Sequence, residues 1–265
     1  MNIEDALLTL DDGQRARFRR DGFLAIEKVT TDAELEWFRA RYDELLENGP
    51  GTGFLDGIYD VTRPYGTSGP PELGQLLAPE RFVRGLAKTL VFRNARRLAA
   101  GLLDVPEEAL EVWTHLIFKP PHSAAITPWH QDEAYWDVHL DYLSVATWLP
   151  LDDVDEDNGC LWYLPGSHTG EVRRHRHQGG DPAVHILEVD EPLDTGARVP
   201  VPLSAGGLVL HHPRCLHWAG GNASTRTRRA WGIVCQTAPV PRAVPADRPW
   251  WHEGRAAHEA SLAGR

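Results

Sequence analysis

The chain has 265 residues, with 27 lysines and arginines against 38 aspartates and glutamates and a formal charge of −11. That length is ample for a buried core in one large or two small domains, and the acidic balance argues against a phosphate-backbone partner, which needs clustered Lys and Arg. Three cysteines without CxxC spacing, Cys160, Cys215 and Cys235, supply neither a disulfide framework nor a cysteine zinc site.

The acidic start Met1-Asn2-Ile3-Glu4-Asp5 lacks the basic flank of a signal peptide, and no apolar run of about 18 residues is present for a membrane span. A cytoplasmic protein of one domain is expected, without nucleic-acid or membrane partners; its oligomeric state is left open. Thirteen histidines and ten tryptophans stand beside a single methionine. Histidine serves metals and proton transfer, and tryptophan walls pockets, so the question is whether they are organised.

In chain order, residues 1–105 read as mostly helical support. A first short helix covers about Asp12 to Arg20 and ends near Gly22, leading into Phe23-Leu24-Ala25-Ile26. Thr31-Asp32-Ala33-Glu34 has the form of a capping box, and Leu35, Phe38, Tyr42 and Leu45 follow at helical spacing until Gly49-Pro50. Gly49 to Leu73 reads as a loop, either a lid or surface padding. A third helical region spans Pro79 to Leu103.

From residue 106 to 240 the period becomes that of strands. Glu111–Lys119, Leu143–Leu149, Cys160–Leu164, Val184–Val189, Arg198–Pro202, Gly207–His211 and Arg229–Thr237 are short and separated by Pro, Gly, Asp and Asn. Strands after a helical beginning predict a mainly β fold, an antiparallel jelly roll with the N-terminal helices packed on the barrel. Residues 241–265 read as a C-terminal tail, in which Trp250 and Trp251 cap either the core or an interface.

Two histidines and one carboxylate on one face of iron leave three positions open, the arrangement non-heme Fe(II) oxygenases use. In an extended chain, residues i and i+2 share a face, so His-x-Asp brings two ligands to one ion. Two such pairs occur, His130-Gln131-Asp132 and His139-Leu140-Asp141. Spacing alone does not choose between them.

The surroundings favour the first. Lys119-Pro120-Pro121 followed by Thr127-Pro128-Trp129-His130-Gln131-Asp132-Glu133-Ala134-Tyr135-Trp136 closely resembles the iron-binding segment of the phytanoyl-CoA dioxygenase family. Asp157-Asn158-Gly159-Cys160-Leu161-Trp162-Tyr163-Leu164-Pro165-Gly166-Ser167-His168 and Gly206-Gly207-Leu208-Val209-Leu210-His211-His212-Pro213-Arg214-Cys215-Leu216-His217 follow in the same order as in that family, and Phe18-Arg19-Arg20-Asp21-Gly22-Phe23-Leu24 is similar to its start. The resemblance implies a double-stranded β-helix of the cupin-like class, an Fe(II)- and 2-oxoglutarate-dependent dioxygenase that consumes O₂ and yields succinate and CO₂. It implies His130, Asp132 and His217 as metal ligands, with Arg228, Trp148 and Gln131 beside the cosubstrate. Arg228, eleven residues past the distal histidine, offers a fork that matches a carboxylate. Where relatives often carry a serine two residues beyond that histidine, this chain has Ala219, and it has Trp113 and Ile117 where some members use Gln and Asn. Halogenating relatives replace the ligand carboxylate with Ala or Gly, whereas Asp132 is retained.

Several neighbours carry two readings. Trp113, His115 and Lys119 share the inward face of one strand with Ile117 by period two; His115 is either a pocket residue or a satisfied core histidine, and Lys119 either a pocket residue or a snorkelling surface one. Tyr135 and Trp136 either touch substrate or pack. His211 and His212 read as barrel wall, His168 as a turn residue, and Arg173-Arg174-His175-Arg176-His177 as a solvated face or an anion-steering one. The expected substrate is a small natural product, either glycosylated or polycyclic, with tryptophans Trp113, Trp129, Trp136 and Trp148 for stacking; hydroxylation or oxidative cyclisation such as orthoester formation is the expected reaction. Competing readings are a cupin-like metal-dependent isomerase or hydrolase and a non-catalytic glycan-binding jelly roll.

Overall fold

A computed structural model describes residues 7–48 and 57–263. The acidic start and the expected Gly49-Pro50 helix stop lie outside the described residues. Helix α1 (Asp12–Asp21) begins with a reciprocal capping box between Asp11 and Gln14 and ends on Gly22, whose φ of 84° is left-handed. It delivers β1 (Phe23–Ile26). Helix α2 (Asp32–Asn48) buries Leu35, Phe38, Tyr42 and Leu45, the four positions its spacing predicted.

The capping box expected at Thr31 forms only by half. Thr31 Oγ1 accepts from Glu34 N at 3.2 Å, but the Glu34 carboxylate turns elsewhere and accepts from Leu90 N at 2.7 Å and Val91 N at 3.0 Å. It thus caps helix α3 (Leu90–Leu103), whose orphan amides and positive dipole end favour a carboxylate. The third helical region is shorter than expected because left-handed residues Ala78 and Gly85 break Pro79–Lys88 into two 3₁₀ turns.

Strands β2 (Tyr59–Asp60) and β3 (Gly74–Leu77) occupy what the sequence suggested was loop and helix approach. Then come β4 (Leu110–Lys119), β5 (Thr127–His130), β6 (Leu140–Asp141), β7 (Ser144–Pro150), β8 (Leu161–Tyr163), β9 (His175–His177), β10 (Leu187–Val189), β11 (Val199–Val201), β12 (Leu208–His211), β13 (His217–Ala219), β14 (Arg228–Thr237) and β15 (Val240–Pro241). All seven predicted strands appear, within three residues at each end. The expected tail is instead helix α4 (Pro249–Ala263), opened by a proline at its first position.

The major sheet runs β1-β12-β7-β14-β4-β3-β2, and a minor sheet runs β11-β8-β13-β5. Alternation along β14 shows how the major sheet separates two cores. Trp231, Ile233 and Cys235 pack with α1 to α3 in one cluster. Ala230 faces the minor sheet with Trp148, Val209, Leu161 and Tyr163. Neighbouring Arg229 reaches outward to Asp152 at 2.8 Å and Asp43 at 2.7 Å. The result is the jelly roll with helices on one face, and the space between its sheets holds the site.

Candidate active site

His130 and His217 end up side by side because β5 and β13 are antiparallel partners in the minor sheet with these two residues in register. Their ring centroids are 4.1 Å apart. His130 Nδ1 lies 2.8 Å from Pro128 O and His217 Nδ1 2.9 Å from Cys215 O. A carbonyl only accepts, so each Nδ1 donates and each Nε2 keeps its lone pair. Both lone pairs meet Asp132, whose Oδ1 is 3.6 Å from His130 Nε2 and 3.5 Å from His217 Nε2. The three ligand atoms lie within 4.8 Å of one another, the one such group among the described residues. Burial opposes ionisation of the Asp132 carboxyl, and the His211 hydrogen bond on its other oxygen favours it.

The chain around Asp132 is pinned. Glu133, buried beside it, accepts from Arg214 Nε at 2.6 Å and Arg248 Nη2 at 2.8 Å. Trp250 Nε1 of α4 donates to Ala134 O at 2.9 Å. Asp132 Oδ2 faces His211 Nε2 at 2.9 Å. His211 is a site residue the sequence reading assigned to the barrel wall; its signal was a histidine at the inward parity of an otherwise apolar strand.

At the other end of the space, Arg228 is buried at 3 % exposure. Its guanidinium lies 5.5 Å from the Trp148 ring, and its Nε and Nη1 find no hydrogen-bond partner among the described residues. Burial pushes its pKa down to about 10. An uncompensated buried guanidinium is costly unless an anion meets it. Gly159, with φ +90°, makes room there: a Cβ would lie 3.0 Å from Gly220 O and 3.7 Å from Arg228 Nε. Lys119, paired with Arg228 across β4 and β14, is fully buried, and its Nζ donates to the carbonyls of Ala219 and Gly220. Burial and the Arg228 charge drive its pKa well down. The pattern fits the expected groups: two imidazoles and one carboxylate for a divalent ion, and two unpaired N–H donors for a carboxylate of the cosubstrate.

A cavity of about 320 Å³ joins these ends. Trp113, His115, Tyr135, Trp136 and Trp148 all line it, as does Arg228. His115 lies flat over Gly232, where a Cβ would come within 2.2 Å of the ring. Its Nδ1 is buried without a partner among the described residues, and burial lowers its pKa to about 4, leaving a neutral ring. His185 and Gln75 complete the polar lining; nothing in their local sequence signals this, since β3 and the segment after β9 reach the cavity only through sheet topology.

Three expectations are corrected. Gln131 does not face the cavity: its amide donates to Arg214 O at 2.8 Å and accepts from Arg173 N at 2.7 Å, as the alternation that sends His130 inward requires. Lys119 is absent from the open lining and sits behind the Arg228 end. Trp129 stacks on Trp218 at 6.4 Å and is likewise not part of the lining. His139 and Asp141 are exposed, with Asp141 on Arg242 at 2.7 Å. The arginine run is a solvated ladder, in which Arg173, Arg174 and Arg176 pair with Glu191, Asp190 and Glu188. His168 is a turn residue, its Nε2 3.2 Å from Arg19 O. No described helix is long and apolar enough to cross a membrane.

The family model for phytanoyl-CoA dioxygenase matches residues 18–230. Phytanoyl-CoA dioxygenase domain-containing protein 1 of Bos taurus is 28% identical over 260 residues, covering 84% of this chain and 88% of that protein. The crystal structure of EvdO2 from Micromonospora carbonacea var. aurantiaca, complexed with 2-oxoglutarate, superposes with a TM-score of 0.79 at 37% identity, over 92% of this chain and 98% of that one. The α-ketoglutarate-dependent carbocyclase SnoK from nogalamycin biosynthesis shares the fold, with a TM-score of 0.68 at 23% identity over 94% and 91% of the two chains. With the family model matching 18–230, well over half of the chain and including all three candidate metal ligands and Arg228, this chain belongs to the phytanoyl-CoA dioxygenase family.

Proposed function

We propose that this chain is an Fe(II)- and 2-oxoglutarate-dependent dioxygenase that hydroxylates or oxidatively cyclises an uncharged, ring-bearing natural product. One observation carries the reading: within a single cavity, the convergent Nε2, Nε2 and carboxylate of His130, His217 and Asp132 face a buried Arg228 that lacks any anionic partner among the described residues. His130, Asp132 and His217 would hold the Fe(II), which when bound would supply O₂ activation coupled to the conversion of 2-oxoglutarate to succinate and CO₂. Arg228 fixes the far carboxylate of the cosubstrate, Trp148 walls it, and Lys119 backs it by drawing the Ala219 and Gly220 carbonyls away from the anion. The likeness to EvdO2, whose structure was solved with 2-oxoglutarate, supports the choice of cosubstrate.

Substrate class follows from the rest of the lining. Besides Asp132 and Arg228, it has no charged side chain; Trp113, Trp136, Tyr135 and a neutral His115 offer flat faces and a few polar edges. Such walls suit a sugar or fused ring. The phosphates of an acyl-CoA would need cations, and the described lining offers only Arg228.

The test is 2-oxoglutarate consumption by purified protein with Fe(II) and O₂, screened against glycosylated, polycyclic and acyl-CoA compounds. Stimulation by an uncharged ring compound is expected. Stimulation only by acyl-CoA overturns the substrate class. Metal-dependent turnover of a compound without 2-oxoglutarate would instead favour a cupin-like hydrolase or isomerase.

A further inference from the structure

The two oxygens of Asp132 have different partners. Oδ1 faces His130 and His217, while Oδ2 meets His211 Nε2 at 2.9 Å. His211 stands on β12 in the major sheet and is 4 % exposed. Its other nitrogen, Nδ1, is 2.9 Å from the hydroxyl of Tyr163 on β8 in the minor sheet. Tyr163 is fully buried and stacked on Phe23 at 4.4 Å.

Hydrogen-bond chemistry fixes the Asp132 end of this chain of contacts. The ionised carboxylate can only accept, so His211 Nε2 donates to Oδ2. Nδ1 lies within hydrogen-bond distance of the Tyr163 hydroxyl, which holds the ring from its other side. Packing of Tyr163 against Phe23 and of His211 between the sheets leaves neither ring free to turn. The donor therefore reaches Asp132 from a fixed place, across two sheets from the histidines on its other side.

We propose that His211 is a positioning residue that occupies Oδ2 and so holds Asp132 as a one-oxygen metal ligand. The inference rests on the metal site proposed above. A carboxylate free to bind through both oxygens would take one more position on the ion. A facial site that must admit a chelating cosubstrate and O₂ needs all three remaining positions. Outer partners of metal ligands typically alter affinity by about 10–100-fold.

The test uses Mn(II) and 2-oxoglutarate titrated by calorimetry into wild-type protein and three variants. His211→Phe removes the donor with little change of shape and should weaken Mn(II) binding by about 10–100-fold. His211→Gln returns an N–H to the same region and should recover a large part of the loss. Tyr163→Phe leaves the donor but frees its ring and should lie between wild type and His211→Phe. The Mn(II) electron paramagnetic resonance spectrum should change with His211→Phe and revert with His211→Gln, which a merely structural role would not produce. Folded His211→Phe with wild-type Mn(II) and 2-oxoglutarate affinity overturns the proposal. Should His211→Phe not fold, Tyr163→Phe decides, and wild-type affinity with an unchanged spectrum in that variant overturns the proposal equally. Wild-type protein that binds neither Mn(II) nor 2-oxoglutarate overturns the metal site itself.

Discussion

Arg228 and Lys119 are cross-strand partners on β14 and β4, two buried cations on one face of the sheet without a carboxylate to balance them among the described residues. Such a pair is stable only if carbonyls, water or a bound anion compensate it. For Lys119 the carbonyls of Ala219 and Gly220 do so; for Arg228 the proposed cosubstrate would. Calorimetry on Mn(II)-loaded protein should show Arg228→Ala weakening 2-oxoglutarate binding by more than about 30-fold, since removing one member of a buried charge pair costs about 2 kcal/mol or more. Lys119→Met should weaken it less and lower the melting temperature.

Replacing any of His130, Asp132 or His217 with alanine should abolish both the Mn(II)-dependent rise in melting temperature and succinate formation. Ligand binding to the folded state stabilises it in proportion to affinity, so the thermal shift reports the site without any substrate. A variant that keeps the full shift is not missing a ligand.

Gly232→Ala should cost about 1–3 kcal/mol, because the new methyl would overlap the His115 ring. In the double variant with His115→Ala the cost should largely vanish. A denaturation-based double-mutant cycle reads the coupling directly, and additive effects would mean the ring does not rest on Gly232.

Glu133→Ala should be strongly destabilising, by about 3–5 kcal/mol, since it strands the buried guanidinium of Arg248 and leaves Arg214 only the exposed Glu171 carboxylate at 3.7 Å. Limited proteolysis should then release α4 first, because Arg248 and Trp250 tie that helix to residues 133 and 134.

Stability should fall on mild acidification. His115 and His212 have folded pKa values of about 4, and His185 of about 3, each lowered mainly by burial from an ordinary 6.5. The unfolded chain therefore binds more protons between about pH 4 and 6.5. The stability these groups allow is complete above pH 6.5 and is lost as pH falls through that window. Melting temperature measured from pH 7.5 to 5 should decline with a slope that His212→Gln reduces.

Much of this was legible in the residues. Period two in β4 placed Trp113, His115, Ile117 and Lys119 on one face, and they are there. The same rule, applied one step further, would have turned Gln131 away from Asp132. Pro249 was a helix-start signal beside two tryptophans that read as tail. His211, Gln75 and His185 could not be found from local pattern, because what brings them to the cavity is which strands pair, a matter of tertiary topology. Glu34 shows the same limit: its spacing fits a cap on its own helix, and packing gave it to α3.

The alternation of β14 also acts as a lock on assembly. A slip of one residue would carry Arg229 from its two carboxylates into the cavity, expose Arg228 to the helices, and set the Trp231 indole where His115 now lies over Gly232. Each of these errors is expensive by itself, and they arise together. The strand that bears Arg228 therefore tolerates one alignment, so misregistered forms of the barrel are disfavoured before any ligand arrives.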